Sequence, residues 1–547
     1  MTGTRTTYRI VCVVLIVLAV GMFISHAAYV IRHDATFFDD SYMFLRYAKN
    51  LLNGDGVSWN PSDGPTYGIT SILHLLVVTF LRFCLPCSDT VVLKLSSLLP
   101  GLLAGLLIVH TCARFAGGSL RGNYLAWGAM LLPFLFGSSV YLFHSRTGMD
   151  TMCAVLLNAL LVHFTLAAMA RPGRRQLAGL LASAIGAFLA RPDNGIYVVV
   201  FPAAAFIFMG APENRKRLVA SFAIGIIALL LIDTLWKYLL FGDPIPLSFH
   251  VKKTGYYVGY LGAHKWSAWA YLLEFLRLSW PFLLIMVVLV ARKTTLLTAA
   301  FLAPVVLSCL YFGSVLQIMG QFGRFYMPAL PFVVVCSGLI FDGAVTGSGD
   351  LIVLRARSFC VRAGLLGALV MGSFFVGYLG PPAERARQHA PATQQGFAGR
   401  FFPPLAYEFN LKAFAAFARR LREGSVVAAS EHGYVAATAM NVEIVDILGL
   451  HDRYFARNGF STDRLLAREP DVLWFAHTDY AGINQGILAS DRFRREYVYY
   501  PGAFNYGVAL RRDGPFFTGC LKAFAAECAR IYPGLDIRKF RAAFPGQ

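Results

Sequence analysis

Two adjacent carboxylates, Asp39 and Asp40 in Phe37-Phe38-Asp39-Asp40-Ser41-Tyr42, stand directly after the first apolar segment of the chain. Ionisable groups at a membrane boundary lose hydration and are costly unless they serve a site or find partners. A carboxylate placed there can accept the proton of an attacking hydroxyl, while Arg or Lys stabilises charge that builds on a departing phosphate. Arg324, in Gly320-Gln-Phe-Gly-Arg324-Phe-Tyr326-Met-Pro328, is one candidate for the phosphate, and Lys252 and Lys253, after Phe241-Gly242-Asp243-Pro244-Ile-Pro246, are two more. Each of these cations could instead anchor the chain by snorkelling to lipid headgroups. Tyr67, His144, Asp150, Arg191, Asp193, Asp243 and His250 complete the candidate substrate-binding set, with capping of the following helix as the alternative use of Asp150.

These residues need elements to position them. Phe44, Tyr47, Ala48, Leu51 and Leu52 fall at helical spacing, with Arg46, Lys49 and Asn50 turned away, which predicts a helix lying in the membrane interface. Asn53-Gly54 closes it, and Asp39 or Asp40 sits at its electropositive start. The whole chain, 547 residues, is 57% hydrophobic and only 14% charged, which excludes an ordinary soluble enzyme. Its net charge of +19 is carried in short clusters between apolar runs, as membrane orientation requires, so nucleic acid is not an expected partner.

Spanning-length segments are predicted near 10–31, 91–113, 122–143, 150–170, 176–200, 196–211, 218–240, 268–291, 296–316, 326–345 and 359–380, the fifth and sixth being split at Arg191-Pro192-Asp193. The apolar run 69–85 is short and carries Ser71, His74, Thr79 and Arg82, and it is read as dipping in or lying flat on the outer side rather than crossing. With that choice Arg5/Arg9, Arg114/Arg121, Arg171/Arg174/Arg175, Arg215/Lys216/Arg217, Arg292/Lys293 and Arg355/Arg357/Arg362 all fall inside. The candidate site residues then gather on the opposite face, as in an active site built between helices.

Six cysteines, Cys12, Cys112, Cys153, Cys309, Cys336 and Cys360, lie in apolar runs and read as packing residues. Cys84-Leu-Pro-Cys87 has metal-like spacing but no second ligand pair nearby. Cys520 and Cys528 could pair if their region lies outside. Pro381-Pro382 and the Arg/Gln/Ala/Pro-rich stretch after it read as a linker. Beyond it, strands at 426–429, 442–447 and 472–475, a helix at 411–422 and a hairpin around Pro501-Gly502 predict a small α/β domain. The expected organisation is therefore a polytopic α-helical membrane domain over 1–380, about eleven transmembrane helices with its first outer loop at 32–90, a linker at 381–400 and an extracytoplasmic α/β domain over 401–547.

The motifs also resemble a known family. Asp39-Asp40-Ser41-Tyr42, Arg46-Tyr47-Ala48, Asn50-Leu51, Gly54-Asp-Gly56, Trp59-Asn60-Pro61 and Gly64-Pro65-Thr66-Tyr67-Gly68-Ile69-Thr70-Ser71 are similar to the first outer loop of GT-C glycosyltransferases of the terminal arabinofuranosyltransferase kind. Gly148-Met149-Asp150-Thr151, Arg191-Pro192-Asp193, Phe241-Gly242-Asp243 and Arg324-Phe-Tyr326 resemble later motifs of that group. Glu431-His432-Gly433-Tyr434 and Asp446-Ile-Leu-Gly449-Leu450-His451-Asp452 resemble its outer domain. The resemblance implies a GT-C fold and transfer of D-arabinofuranose from a polyprenyl phosphate to an acceptor outside a bacterial cytoplasmic membrane. It implies Asp39 and Asp40 as the catalytic pair, Asp39 first as base, with Asp40 binding acceptor or a divalent cation such as Mg, Mn or Ca. Thr66-Tyr67-Gly68 and Phe249-His250-Val251-Lys252 depart from mycobacterial members, so the acceptor extends to cell-wall glycan, lipoglycan or a surface protein such as pilin. The alternatives are a transferase of another polyprenyl-phosphate sugar and a flippase of polyprenyl-linked glycan, the latter expected to place charge inside its spanning helices.

Overall fold

The computed structural model describes residues 2–33, 38–118, 120–209, 212–253, 267–289, 295–315, 317, 320–345, 402 and 405–534. The predicted span at 359–380 and the linker lie outside the described residues. Among those described, eight helices are long and apolar enough to cross a membrane: Thr6–Arg32, Asp89–Phe115, Thr151–Ala170, Pro192–Met209, Asn214–Phe241, Trp269–Val287, Thr295–Ser314 and Gln321–Gly343. A ninth is the pair Tyr124–Gly137 and Ser139–Arg146, bent by 68°. Arg174–Ala190 is helical over 17 residues and carries the first part of the fifth predicted segment, whose remainder falls in Pro192–Met209. The chain is thus a multi-pass membrane protein, and Ile72–Cys84 forms a short apolar helix of 13 residues.

Charge does occur inside the spans. Lys237 and Asp233 pair at 2.6 Å within one helix, and Lys237 Nζ lies 5.5 Å from the centre of the Tyr67 ring. Each charge is neutralised by the other one turn away, which is how an apolar helix tolerates them.

The C-terminal domain is a five-stranded sheet with β1 Ser425–Ala429, β2 Val442–Asp446, β3 Val472–Trp474, β4 Tyr497–Tyr500 and β5 Val508–Arg511. Its order is β2-β1-β3-β5-β4, with β1 parallel to both β2 and β3 and the β4–β5 hairpin antiparallel to β3. Gly502, at φ 77°, follows Pro501 in the connection between β4 and β5. Cys520 and Cys528 are both free and buried. They lie on the single helix Phe517–Ile531, about 12 Å apart along its axis at 1.5 Å per residue, so the disulfide considered from sequence is not formed.

The helix Asp39–Asn53 ends as predicted, with Gly54 at φ 90° donating its N–H to the Asn50 and Leu51 carbonyls. Its polar face is not turned to solvent, however, because the C-terminal domain covers it. The Arg46 guanidinium, 1% exposed, donates to the carbonyls of Trp59 (2.7 Å), Ala436 (2.7 Å) and Val442 (3.1 Å) and to Asn60 Oδ1 (3.0 Å). Asn60 accepts from the Ile444 N–H at 2.9 Å and donates to its carbonyl at 3.0 Å, while Trp59 Nε1 donates to the same carbonyl at 3.1 Å. Since β2 is an edge strand, the first loop satisfies backbone groups that would otherwise face water or another chain. Replacement of Arg46 by Met strands several buried acceptors, and is expected to cost about 1–3 kcal/mol for each group left unpaired. A lower unfolding temperature and faster protease release of residues beyond 400 in R46M, with no change in R82M, would check this.

Candidate active site

The first loop, the helix starts and the C-terminal domain enclose one cavity of about 190 Å³. Asp40, Asp150, Arg191, Asp193 and Arg324 supply its charge, and Thr70, Ser248, Tyr311 and Gln317 add neutral polar groups. Met43, Phe44, Phe249, Phe312, Phe325 and Leu450 form apolar wall, so the space has the mixed lining of a small-molecule site.

Three of the charged residues come from helix boundaries that the sequence marks. Asp150 precedes Thr151–Ala170, and its side chain makes no cap to that helix. It lies instead 3.1 Å from Arg324 and 3.5 Å from Arg191. Burial raises the pKa of Asp150, but Arg191 and Arg324 overcome this and hold it below the usual carboxylate value. Arg191 sits where Ala190 gives way to Pro192, and it grips Asp193 through two bonds of 3.1 and 2.7 Å. Both guanidiniums pack over Phe325, at 5.1 Å for Arg191 and 5.8 Å for Arg324.

Arg324 is aimed by a tight turn. Phe322 has φ 55° and Gly323 φ 67°. His144 Nε2 bonds the Phe322 carbonyl at 3.0 Å, and the Gly323 N–H donates to Glu274 at 3.1 Å. Strain of this kind persists only where surrounding contacts hold it. Arg324 spends one donor on Asp150, and its buried Nε has no partner among the described residues. It is therefore the guanidinium with spare capacity for an anion, whereas Arg191 is largely saturated.

The two adjacent aspartates have diverged. Asp39 accepts from the Gly433 N–H at 2.9 Å and the Tyr434 N–H at 2.8 Å, at the start of the helix Gly433–Thr438. It is buried and does not line the cavity. Burial and the nearby Glu431 push its pKa up to about 6, against the two N–H groups and His432. Asp40, one residue on, keeps part of its surface open and faces the cavity. The dense protein around it raises its pKa, with Arg324 and His432 opposing and Asp39 and Asp150 adding to the shift.

Several candidates have other surroundings. Tyr67 is buried, stacked on Phe241 with ring centres 4.8 Å apart, and its carbonyl accepts from the Leu247 N–H. Asp243 accepts from Arg457 at 2.7 Å and bonds His250 at 3.0 Å. This group ties the loop after Phe241 to the C-terminal domain, outside the cavity. Burial raises the pKa of Asp243, and the Ile245 N–H, Arg457 and His250 lower it to a net depression. Lys252 and Lys253 end the helix Leu247–Lys253, and their side chains lie outside the described residues.

Sequence reasoning missed Gln317, which bonds the Phe312 carbonyl and the Tyr326 hydroxyl at 2.9 and 2.7 Å. A lone amide just after an apolar run was the available signal. It also missed Thr70 and Ser248, whose ordinary loop composition carries none.

Fold and site together define a polytopic membrane protein with its polar cavity at the junction of a helical bundle and an appended α/β domain. Solved structures of ArnT from Cupriavidus metallidurans share this architecture. The apo form superposes with a TM-score of 0.56 at 13% identity, covering 93% of this chain and 98% of the other. The form bound to undecaprenyl phosphate gives 0.51 at 13% identity, covering 91% and 97%. The common ground is the GT-C fold. No family model and no curated protein matches the sequence.

Removing the shared carboxylate should expose the cost of the buried cations. D150A leaves Arg191 and Arg324 without their common partner and is expected to lose roughly 3 kcal/mol of stability. D150N, which keeps an acceptor oxygen, should lose less, as thermal unfolding of the two purified variants would show.

Proposed function

We propose that this protein transfers a sugar from a polyprenyl phosphate to an acceptor hydroxyl, with Asp40 as the catalytic carboxylate and Arg324 as the principal phosphate ligand. The observation that carries the reading is the placement of Asp40 and Arg324 on one cavity, an acceptor-activating carboxylate with a guanidinium that has an unspent donor. In the reaction the acceptor oxygen bonds the anomeric carbon as the bond from that carbon to the phosphate oxygen breaks. The acceptor proton passes to Asp40, and Arg324, with Arg191 beside it, holds the charge that the departing phosphate takes with it. Asp39 acts as a positioning residue, locking the start of its helix onto the C-terminal domain. Lys252 and Lys253 remain secondary phosphate candidates, and Asp193 and His144 orient Arg191 and the Arg324 turn.

Undecaprenyl phosphate bound in a structure of the same fold supports a polyprenyl-phosphate lipid as donor. D-Arabinofuranose is the sugar supported by the first-loop resemblance, and another polyprenyl-linked sugar is the second reading, because the shared fold is not specific to a pentose. The acceptor is an extracytoplasmic glycan, lipoglycan or surface protein. The distribution of basic clusters supports an inner-membrane location with cavity and C-terminal domain outside.

Purified protein should transfer arabinose from a synthetic polyprenyl-phosphoryl arabinofuranose, with products read by mass spectrometry against a panel of donors and acceptors. D40N should lose about 10²–10⁴-fold in rate. D39N should lose less and retain donor binding. Turnover of a different sugar alone would replace the donor, and lipid movement without transfer would support the flippase. Cysteines at 115 or 173 should react only from inside, and one at 513 only from outside.

The rate should also respond to pH. Base action needs ionised Asp40, whose pKa is raised, so kcat/KM should fall on acidification with an acid limb above the ordinary carboxylate range. A limb near pH 4 would remove Asp40 from that role.

A further inference from the structure

Behind the gripping turn at Gly433 lies a second polar cluster that the proposed reaction does not use. Asp446 is the last residue of β2, and His432 and His451 lie in the segments that follow the C-terminal ends of the neighbouring parallel strands β1 and β2. All three are buried. One ligand-capable atom from each lies within 4.8 Å of the other two, and His432 Nε2 is 3.6 Å from Asp446 Oδ2, too long for a hydrogen bond. His432 Nε2 and His451 Nε2 are both buried without a hydrogen-bond partner among the described residues. Two such orphans beside one carboxylate call for an explanation, because a buried unsatisfied imidazole nitrogen is costly.

The surrounding bonds prepare these atoms for a cation. His432 Nδ1 lies 2.9 Å from the Ser430 carbonyl, so Nδ1 carries the hydrogen and Nε2 the lone pair. His451 Nδ1 faces the Tyr47 hydroxyl at 3.0 Å, and donation to that oxygen leaves its Nε2 equally free. Asp446 accepts one backbone N–H on each oxygen, from Leu448 at 2.9 Å and His451 at 2.8 Å, which fixes its orientation and leaves a lone pair on each. Trp59 stacks flat on His451 at 3.9 Å and meets His432 edge-on at 5.3 Å, so the rings are held and shielded. This is ligation oriented by outer-shell hydrogen bonds within an apolar sleeve.

We propose that His432 Nε2, His451 Nε2 and an Asp446 oxygen bind a divalent transition-metal ion of the zinc type, with a water as fourth ligand. Two imidazoles and one carboxylate suit zinc, whereas magnesium and calcium prefer all-oxygen shells. Binding would draw the three atoms to about 3.3 Å of one another, the spacing of tetrahedral ligands at 2.0–2.1 Å from zinc. The ion would pin the β1 and β2 loops together at the base of the turn whose N–H groups hold Asp39. Its role is structural, and the inference does not depend on the proposed transfer reaction.

The full chain in detergent, equilibrated with Zn(II) and desalted, should retain about one zinc per molecule by elemental analysis. H432N and H451N should each lose that equivalent, and H250N should keep it. Cobalt(II) added to metal-stripped wild type should give the intense ligand-field absorption of a tetrahedral site, a readout that needs no variant to fold. Chelation should lower the unfolding temperature, and zinc should restore it. Wild type that retains no stoichiometric zinc and gives no tetrahedral cobalt spectrum overturns the proposal, as does zinc retained in full by both His variants.

Discussion

The grip of Asp39 on the backbone of Gly433 and Tyr434 is the constraint around which the molecule is arranged. Two short bonds from peptide N–H groups satisfy a carboxylate that is buried, and they do so across 394 positions of sequence. The favourable side of this contact is electrostatic, a negative group at the exposed amides of a helix start. The unfavourable side is desolvation, which burial and Glu431 make large enough to raise the carboxyl pKa. Around it Arg46, Asn60 and Trp59 seal the β2 edge, so the soluble sheet is joined to the membrane domain by directional bonds as well as by apolar packing. Asp40 inherits its position from this arrangement, since the residue before it cannot move.

A second network fixes the other wall. Asp150 neutralises parts of two guanidiniums, Asp193 engages one of them, and the Phe322-Gly323 turn points Arg324 inward. Buried charges in these numbers are stable only when nearly every one is paired. The exception is the buried Arg324 Nε, which has no partner among the described residues and belongs to a side chain that lines the cavity.

Much of this was legible in the sequence. Hydropathy gave the spanning helices because lipid demands long apolar runs, and Gly54, the β-strand runs and Gly502 marked local geometry directly. The importance of the Asp39-Asp40 pair was also visible, but the division of labour was not. Adjacent residues on a helix start differ by about 100° in direction, and which of them faces the cavity depends on where a domain nearly four hundred residues later docks. The same reason hid Arg46, whose polar character suggested solvent while two of its partners are the Ala436 and Val442 carbonyls of the distant domain; Asn50 is turned inward onto the Ser58 and Trp59 carbonyls of its own loop. Asp243 and His250 looked like site residues because they are polar and were assigned to the same face as the carboxylate pair; Arg457, contributed by the other domain, draws them away.

Gly433 shows how close the two parts come. A Cβ placed on it would stand 2.1 Å from the Asp39 carbonyl oxygen, so the surfaces meet at backbone distance. The helix that presents Asp40 is synthesised and inserted while that surface does not yet exist, and through most of translation its carboxylates have no partner. The wall that Leu450 supplies is therefore missing until the C-terminal domain has been made and has folded back onto the first loop. Docking of the C-terminal domain is thus the step that completes the lining of the cavity.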